Sequence, residues 1–234
     1  MVAMPSAPRI AAVTAAATSS TQPGRLKTRP KRDAARTQAA ILSAATLEFA
    51  RLGLGGARVD RIAQRAKANK RMLYYYFGSK EALFLAVLEK TYENIRAEEQ
   101  KLRLTDLPPA EGVTQLVIFT WKYYLAHPEF MTLLNSENLH RAKHLKRSSK
   151  IQAMNSPLVA TLREVLERGV RTGKFRDGVD PVQLYVSIAA LGYFYLSNIH
   201  TLSTIFGRDL LAPKAKAQRL RHMVDLVQGY LARP

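Results

Sequence analysis

The chain contains no cysteine. A disulfide framework and a thiolate nucleophile are therefore excluded. Tryptophan occurs once, and acids are scarce: 18 Asp and Glu stand against 36 Lys and Arg, a net charge of +18. Few acids are left over to hold a cation. No apolar run approaches the length of a membrane span. The apolar patch at residues 10–17 is short and broken by Thr14, so it does not read as a signal peptide. Strand-like alternation and internal repeats are both missing, which argues against a β-rich or repeat architecture.

What is present is a basic, apolar-rich chain of 234 residues, 47% of them hydrophobic. That is enough for one large domain or two small ones with a sizeable core. The charge is unevenly placed. Residues 1–80 carry 15 cations against Asp33, Glu48 and Asp60, or +12, while residues 81–234 carry +6. Such asymmetry favours a polyanion partner near the N-terminus. Residues 1–33 are rich in Ala, Thr, Ser and Pro and end in the cations Arg25, Lys27, Arg29, Lys31 and Arg32. They cannot bury a core and read as a disordered basic tail able to add phosphate contacts.

Helical spacing dominates the rest. Ile41, Ala44, Ala45, Leu47 and Leu52 repeat on one face between Asp33 or Thr37 as caps and Gly53 as a stop. A second helix spans about 58–66 and buries Val59, Ile62 and Ala63. A third opens at Asn69 and ends near Phe77. Two short helices joined by a turn this tight form a helix-turn-helix, so residues 34–80 read as a three-helix DNA-binding domain. From Ser79 onward residues 81–234 form an all-helical second domain. Its helices run from Ser79, over 113–126, over 129–139, from Ser156-Pro157 to near Gly173, from Asp180-Pro181 to about Thr201, and over 213–231.

The segment NKRMLYYYFGSKEAL (69–83) carries the most information. A cap, two cations and three consecutive tyrosines make a short helix whose exposed face suits a major groove, with phosphates on its rims and base edges on its floor. Lys70 and Arg71 lie in the first turn, within reach of guanine acceptors or phosphates. Leu73 and Phe77 are four apart and should face the core. Tyr75 points away from them toward the groove, and Tyr74 and Tyr76 flank it, one of the two half in the core. Lys80 opens the long helix, where amides and the helix dipole attract phosphate.

Residues 34–90 resemble the N-terminal domain of the TetR family of bacterial transcriptional regulators. The match runs through ILSAATLEFARLG (41–53), VDRIAQRA (59–66), NKRMLYYYF (69–77) and GSKEALFLAVL (78–88). The resemblance implies a cytoplasmic homodimer with one helix-turn-helix per subunit and a C-terminal ligand-binding and dimerisation domain. It also implies no catalysis, no cofactor and no metal. Three positions depart from the pattern. Ala57 replaces the Thr usual at the second helix's cap, leaving Arg58 beside it to meet the phosphate. Lys67 replaces the Gly of the turn, where a left-handed backbone would be strained. Met72 replaces a small residue and is left either to touch a thymine methyl or to pack.

Under the same resemblance, Trp121, Tyr124, Phe130, Met154 and Tyr193 are candidates to line a cavity for a small organic effector, uncharged or anionic. Plain core packing is the alternative for each. Glu137, His140 and His144 have zinc-like spacing, but four cations crowd the stretch, so it reads as an exposed basic linker. The helix after Pro181 is apolar nearly all round, which calls for a partner subunit; Leu220, Met223, Val224, Val227 and Leu231 form a second stripe. The expected function is a ligand-released repressor of double-stranded DNA. A constitutive DNA binder remains open, and a helical enzyme finds no nucleophile–base pair or phosphate-cradling loop to support it.

Overall fold

The computed structural model describes residues 29–233. Most of the expected N-terminal tail, including Arg25 and Lys27, lies outside the described residues. Among those described, the chain is all-α: α1 (Arg29–Gly56), α2 (Val59–Arg65), α3 (Lys70–Phe77), α4 (Lys80–Gln100), α5 (Pro109–Ala126), α6 (Pro128–Leu139), α7 (Ser149–Arg171), α8 (Pro181–Ser197), α9 (Ile199–Phe206) and α10 (Pro213–Leu231). A single isolated antiparallel bridge joins Phe175 to Ala232.

Local chemistry sets most boundaries. Asn69 accepts the Arg71 N–H at 2.8 Å and starts α3, Ser79 Oγ accepts the Ala82 N–H at 3.0 Å and starts α4, and Asp180 accepts the Gln183 N–H at 2.7 Å and starts α8. Proline stands in the first turn of α5, α6, α8 and α10, where its missing N–H costs no helical bond. Gly53 breaks α1 with φ 64° and ψ 178°, a conformation open only to glycine.

Several expectations are corrected. α1 begins at Arg29, so Asp33 and Thr37 are not caps; Thr37 Oγ1 instead donates to the Asp33 carbonyl one turn back. Leu47 is half exposed, and Phe49 takes the buried place on that face. The N-cap of α2 is Arg58, and Ala57 is buried beside it. α7 starts at Ser149, eight residues before Pro157, because Ser148 caps it and ties it to Glu89 of α4 through a 2.6 Å hydrogen bond. α8 stops at Ser197, and residues 199–206 form the separate α9, bent by 70° from it.

Two cores result. One joins Ile41, Phe49, Ile62, Leu73, Leu83 and Phe84 of α1–α4, and the other joins Val113, Leu116, Leu162, Ile188 and Met223 of α5, α7, α8 and α10. They meet at α6. Leu133 is fully buried in the first core, while Phe130 and Met131 on the same helix belong to the second. No single helix among the described residues is long and apolar enough to cross a membrane.

Candidate functional site

The helix-turn-helix is held from beneath by a buried carboxylate. Glu48 on α1, 1% exposed, accepts the Arg58 N–H at 3.2 Å and pairs with Arg61 Nε at 2.8 Å. No side chain caps α2 locally, and Glu48 satisfies the N–H of the N-cap residue itself from another helix. The α2–α3 turn carries Lys67 at φ 50°, the left-handed conformation in which a non-glycine residue is strained.

α3 presents a sharply divided surface. Leu73 is fully buried, Phe77 and Tyr76 pack against the N-terminal core, and Met72 is half buried. Arg71, Tyr74 and Tyr75 project outward, Tyr75 being 79% exposed. Tyr76 is therefore the half-core tyrosine; its ring lies edge-on to Tyr75 at 5.2 Å. Lys70 is exposed but paired with Asp60 of α2 at 2.7 Å, a contact that raises its pKa, first through the hydrogen bond and then through charge. Lys80 Nζ donates to the Gly55 carbonyl at 3.4 Å, spanning from the start of α4 to the end of α1. Arg58 is exposed. These cations and tyrosines share one end of the molecule, built from α2, α3 and the start of α4.

Two of the cavities in the C-terminal half adjoin each other, and both open to the surface. The larger, about 470 Å³, is lined by Tyr124, Phe130 and Tyr193 together with Tyr92, Arg96, Leu134, Leu158, Val186 and Tyr185. Phe130 stacks on Tyr124 at 5.7 Å and meets Tyr92 edge-on at 5.7 Å, and Tyr193 donates to Asn135. The smaller, about 250 Å³, is lined by Met154, Arg96, Glu99 and Leu158 among others. Of the residues expected to line one cavity, Tyr124, Phe130 and Tyr193 come together, and Met154 lies next door. Trp121 lines neither cavity; it is buried in the core against Tyr195, ring centres 5.6 Å apart.

Sequence reasoning missed the charged pair at this site. Arg96 and Glu99 on α4 are 5% and 4% exposed, with Arg96 Nη1 2.5 Å from Glu99 Oε2. Arg96 Nη2 donates to Tyr185 Oη at 2.5 Å. Burial pushes the Glu99 carboxyl up to about 7 despite the opposing pull of Arg96. Burial likewise raises Tyr124, Tyr92 and Tyr185, which stay neutral. The one signal was that Tyr92, Arg96 and Glu99 fall at i, i+4 and i+7 on one stripe of α4, whereas the i, i+3 spacing of Arg and Glu by itself reads as a surface pair.

The stretch after α6 keeps Arg141, Lys143, Lys146 and Arg147 exposed as expected, but Glu137 and His144 are buried and anchor it. The Glu137 carboxylate, 1% exposed, accepts the backbone N–H of His144 and Leu145 at 2.8 and 3.0 Å and contacts His144 Nδ1 at 2.7 Å. His144 is buried against Phe84 of α4, ring centres 5.2 Å apart. The pair is thus spent on fastening the turn to the DNA-binding domain. Among the described residues no cluster has the makings of a metal site.

Known proteins resemble this chain in both halves. The family model for bacterial regulatory proteins of the tetR family matches residues 41–87, and the one for the tetracyclin repressor-like C-terminal domain matches residues 109–227. The chain is 44% identical over 198 residues to the HTH-type transcriptional repressor NicS of Pseudomonas putida, covering 85% of this chain and 93% of that protein. It is 38% identical over 142 residues to the HTH-type transcriptional repressor SCO4008 of Streptomyces coelicolor, covering 60% and 70%. The crystal structure of SCO4942 from Streptomyces coelicolor superposes with a TM-score of 0.64 at 28% identity, covering 85% of this chain and 99% of that one. With both halves matched, the chain belongs to the TetR family of bacterial regulatory proteins and is a DNA-binding transcriptional regulator, not an enzyme.

Proposed function

We propose that the protein is a homodimeric cytoplasmic repressor, released from a palindromic operator when a small organic molecule fills the cavity of Tyr124, Phe130 and Tyr193. Arg71, Tyr74 and Tyr75 read the groove, with Met72 at its edge. Arg58, Lys80, Tyr76 and Lys70 serve phosphate contact, Lys70 after exchanging Asp60 for the DNA backbone. The basic tail, residues 1–33, adds sequence-independent attraction.

The dimer is supported by the exposed apolar side chains of α8 and α10. Val186 and Phe194 are 52% and 60% exposed, and Leu226 and Tyr230 are each 46% exposed. Closed two-fold pairing of such faces sets two recognition helices about 34–36 Å apart, one turn of DNA.

The observation that carries ligand control is the double membership of α6. Phe130 and Leu134 line the cavity, and Leu133 one turn away is locked in the core of the DNA-binding domain. α4 makes the same connection, running from Lys80 at the groove to Arg96 at the cavity. A ligand that displaces either helix changes the spacing of the two α3 helices, and both half-sites can no longer be met together. A hundredfold preference of the ligand for the DNA-incompetent state supplies about 2.7 kcal/mol of coupling.

The test begins with sequencing genomic fragments retained by the protein, followed by anisotropy titrations on the recovered site. Expected are a two-fold symmetric site, affinity that falls steeply with salt, and ligand affinity lowered by saturating operator by the same factor as the ligand lowers operator affinity. Equal affinity for all duplexes at fixed salt defeats the repressor reading. Ligand affinities unchanged by operator defeat the release mechanism.

A further inference from the structure

The larger cavity is apolar except for one charged group. Arg96 lines both cavities and is 5% exposed, so its guanidinium lies within the protein. Only Nη2 completes a hydrogen bond, to Tyr185; Nε and Nη1 have no hydrogen-bond partner among the described residues. Glu99 is the near neighbour, yet its geometry is poor. Its carboxylate forms an ion pair with Nη1 at 2.5 Å without aligning as a hydrogen bond, and neither of its oxygens completes one. Buried donors and acceptors in native proteins are paired as a rule, so an orphaned set on a side chain that lines two cavities marks a place where a ligand group could enter once Glu99 gives way.

The charge of that group follows from what surrounds it. A cation would face Arg96. A neutral carbonyl could accept from the guanidinium, but it would not balance the charge once Glu99 is displaced. A dianion would bring a second charge for which the larger cavity offers no partner. A carboxylate matches the planar fork of arginine, and the remaining walls, Tyr124, Phe130, Leu134 and Val186 among them, suit an apolar body.

We infer that the effector is a small monocarboxylate with an apolar body, which takes the open donors of Arg96, displaces Glu99, and enters together with one proton that Glu99 takes up from solvent. This rests on the ligand-released reading given above. No covalent bond forms or breaks; one carboxylate replaces another at the guanidinium, and the displaced one is neutralised where it lies. Two carboxylates cannot both stay ionised around one buried cation. Glu99 is already close to neutral, because burial holds its carboxyl at about 7 with only Arg96 opposing. The other ionisable groups facing the two cavities are Tyr92 on α4, Tyr124 on α5, Tyr185 and Tyr193 on α8, and Arg103 and Asp106 in the turn after α4. The α7 residues that line them, Met154, Pro157, Leu158, Val159 and Thr161, add none.

The probes are benzoate, phenylacetate and octanoate against benzamide, phenylacetamide and octanamide, tested on the full chain by thermal shift and by release of the recovered operator. The acids are expected to bind and release at least about tenfold better than the matched amides, as hydrogen bonds to a buried charge demand. Arg96→Met should erase that preference. Calorimetry at pH 8 in two buffers of different ionisation heat should show uptake approaching one proton per subunit. Glu99→Gln should abolish the uptake while keeping the acid preference. Release by amides as strong as by acids, or no response to either series, overturns the inference, and so does acid binding without proton uptake in the native chain. Amide release leaves release from the cavity standing, whereas failure of the free protein to hold any operator strikes the repressor reading instead. The comparison of acids with amides on the native chain does not depend on the variants folding.

Discussion

Replacing Glu48 by alanine tests how the helix-turn-helix is held. The side chain is 1% exposed and serves two partners, the Arg58 N–H at 3.2 Å and Arg61 Nε at 2.8 Å. Its loss leaves the N–H of Arg58, the N-cap residue of α2, without its acceptor, worth about 1 kcal/mol for a net hydrogen bond. It also removes a charge-assisted bond, worth roughly 1.5–3 kcal/mol. The low end of that range applies, because the Arg61 side chain is 44% exposed and water recovers its guanidinium. Glu48 Oε2 is buried without a partner, so removing it returns part of the loss. The expected net cost of Glu48→Ala is about 2 kcal/mol, less for Glu48→Gln, which keeps one acceptor. Arg61→Ala should cost at least as much, since it strands a buried carboxylate. The double variant should cost clearly less than the sum. Urea unfolding followed by far-ultraviolet circular dichroism measures all four, with operator anisotropy showing whether α3 is still positioned. A Glu48→Ala cost below about 0.5 kcal/mol, or additivity of the pair within that margin, would refute the reasoning.

Tyr75→Ala should leave stability unchanged, because the ring is 79% exposed, while lowering the ratio of specific to random DNA affinity by about 1–3 kcal/mol; an unchanged ratio would show that Tyr75 does not read bases. Phe194→Glu, on an exposed face of α8, should yield folded monomers by analytical ultracentrifugation and cut operator binding by orders of magnitude; an intact dimer would place the interface elsewhere. Lys67→Gly should raise stability by up to about 1 kcal/mol, since φ 50° is strained for lysine and free for glycine, and a lowered denaturation midpoint would contradict it. The raised Glu99 carboxyl favours the folded state fully below the unfolded value near 4.5 and loses that advantage as pH climbs through about 7. The native chain should therefore lose up to about 3 kcal/mol from pH 4.5 to 8 relative to Glu99→Gln, and parallel pH–stability curves would rule this out.

Much of the fold was legible because it is written in local chemistry. The caps Asn69, Ser79 and Asp180, the breaks at Gly53 and before Pro128, and the turn between α2 and α3 depend on residues within a few positions of one another. The outward face of α3 followed from helical period alone, since Leu73 and Phe77 fix which side is inward and thereby expose Arg71 and Tyr75. Where local reading failed, a distant partner outweighed the local signal. Ser148 starts α7 upstream of Pro157 because Glu89 lies beside it, and Leu47 faces outward while Phe49 meets Phe84 at 5.1 Å.

The tertiary structure alone decided the sites. Spacing shows that Glu137 and His144 are seven apart but not that the chain turns back to bury them together, closing on Phe84. Composition marks Trp121 and Tyr124 as equivalent aromatics, yet one is core and the other lines a cavity, because α5 turns only one of them toward the space between α4, α6 and α8. Arg96 and Glu99 look from the sequence like an ordinary exposed i, i+3 pair. Packing of α5, α7 and α8 removes the water that would have screened them, and that desolvation turns a surface pattern into a buried charge with open donors.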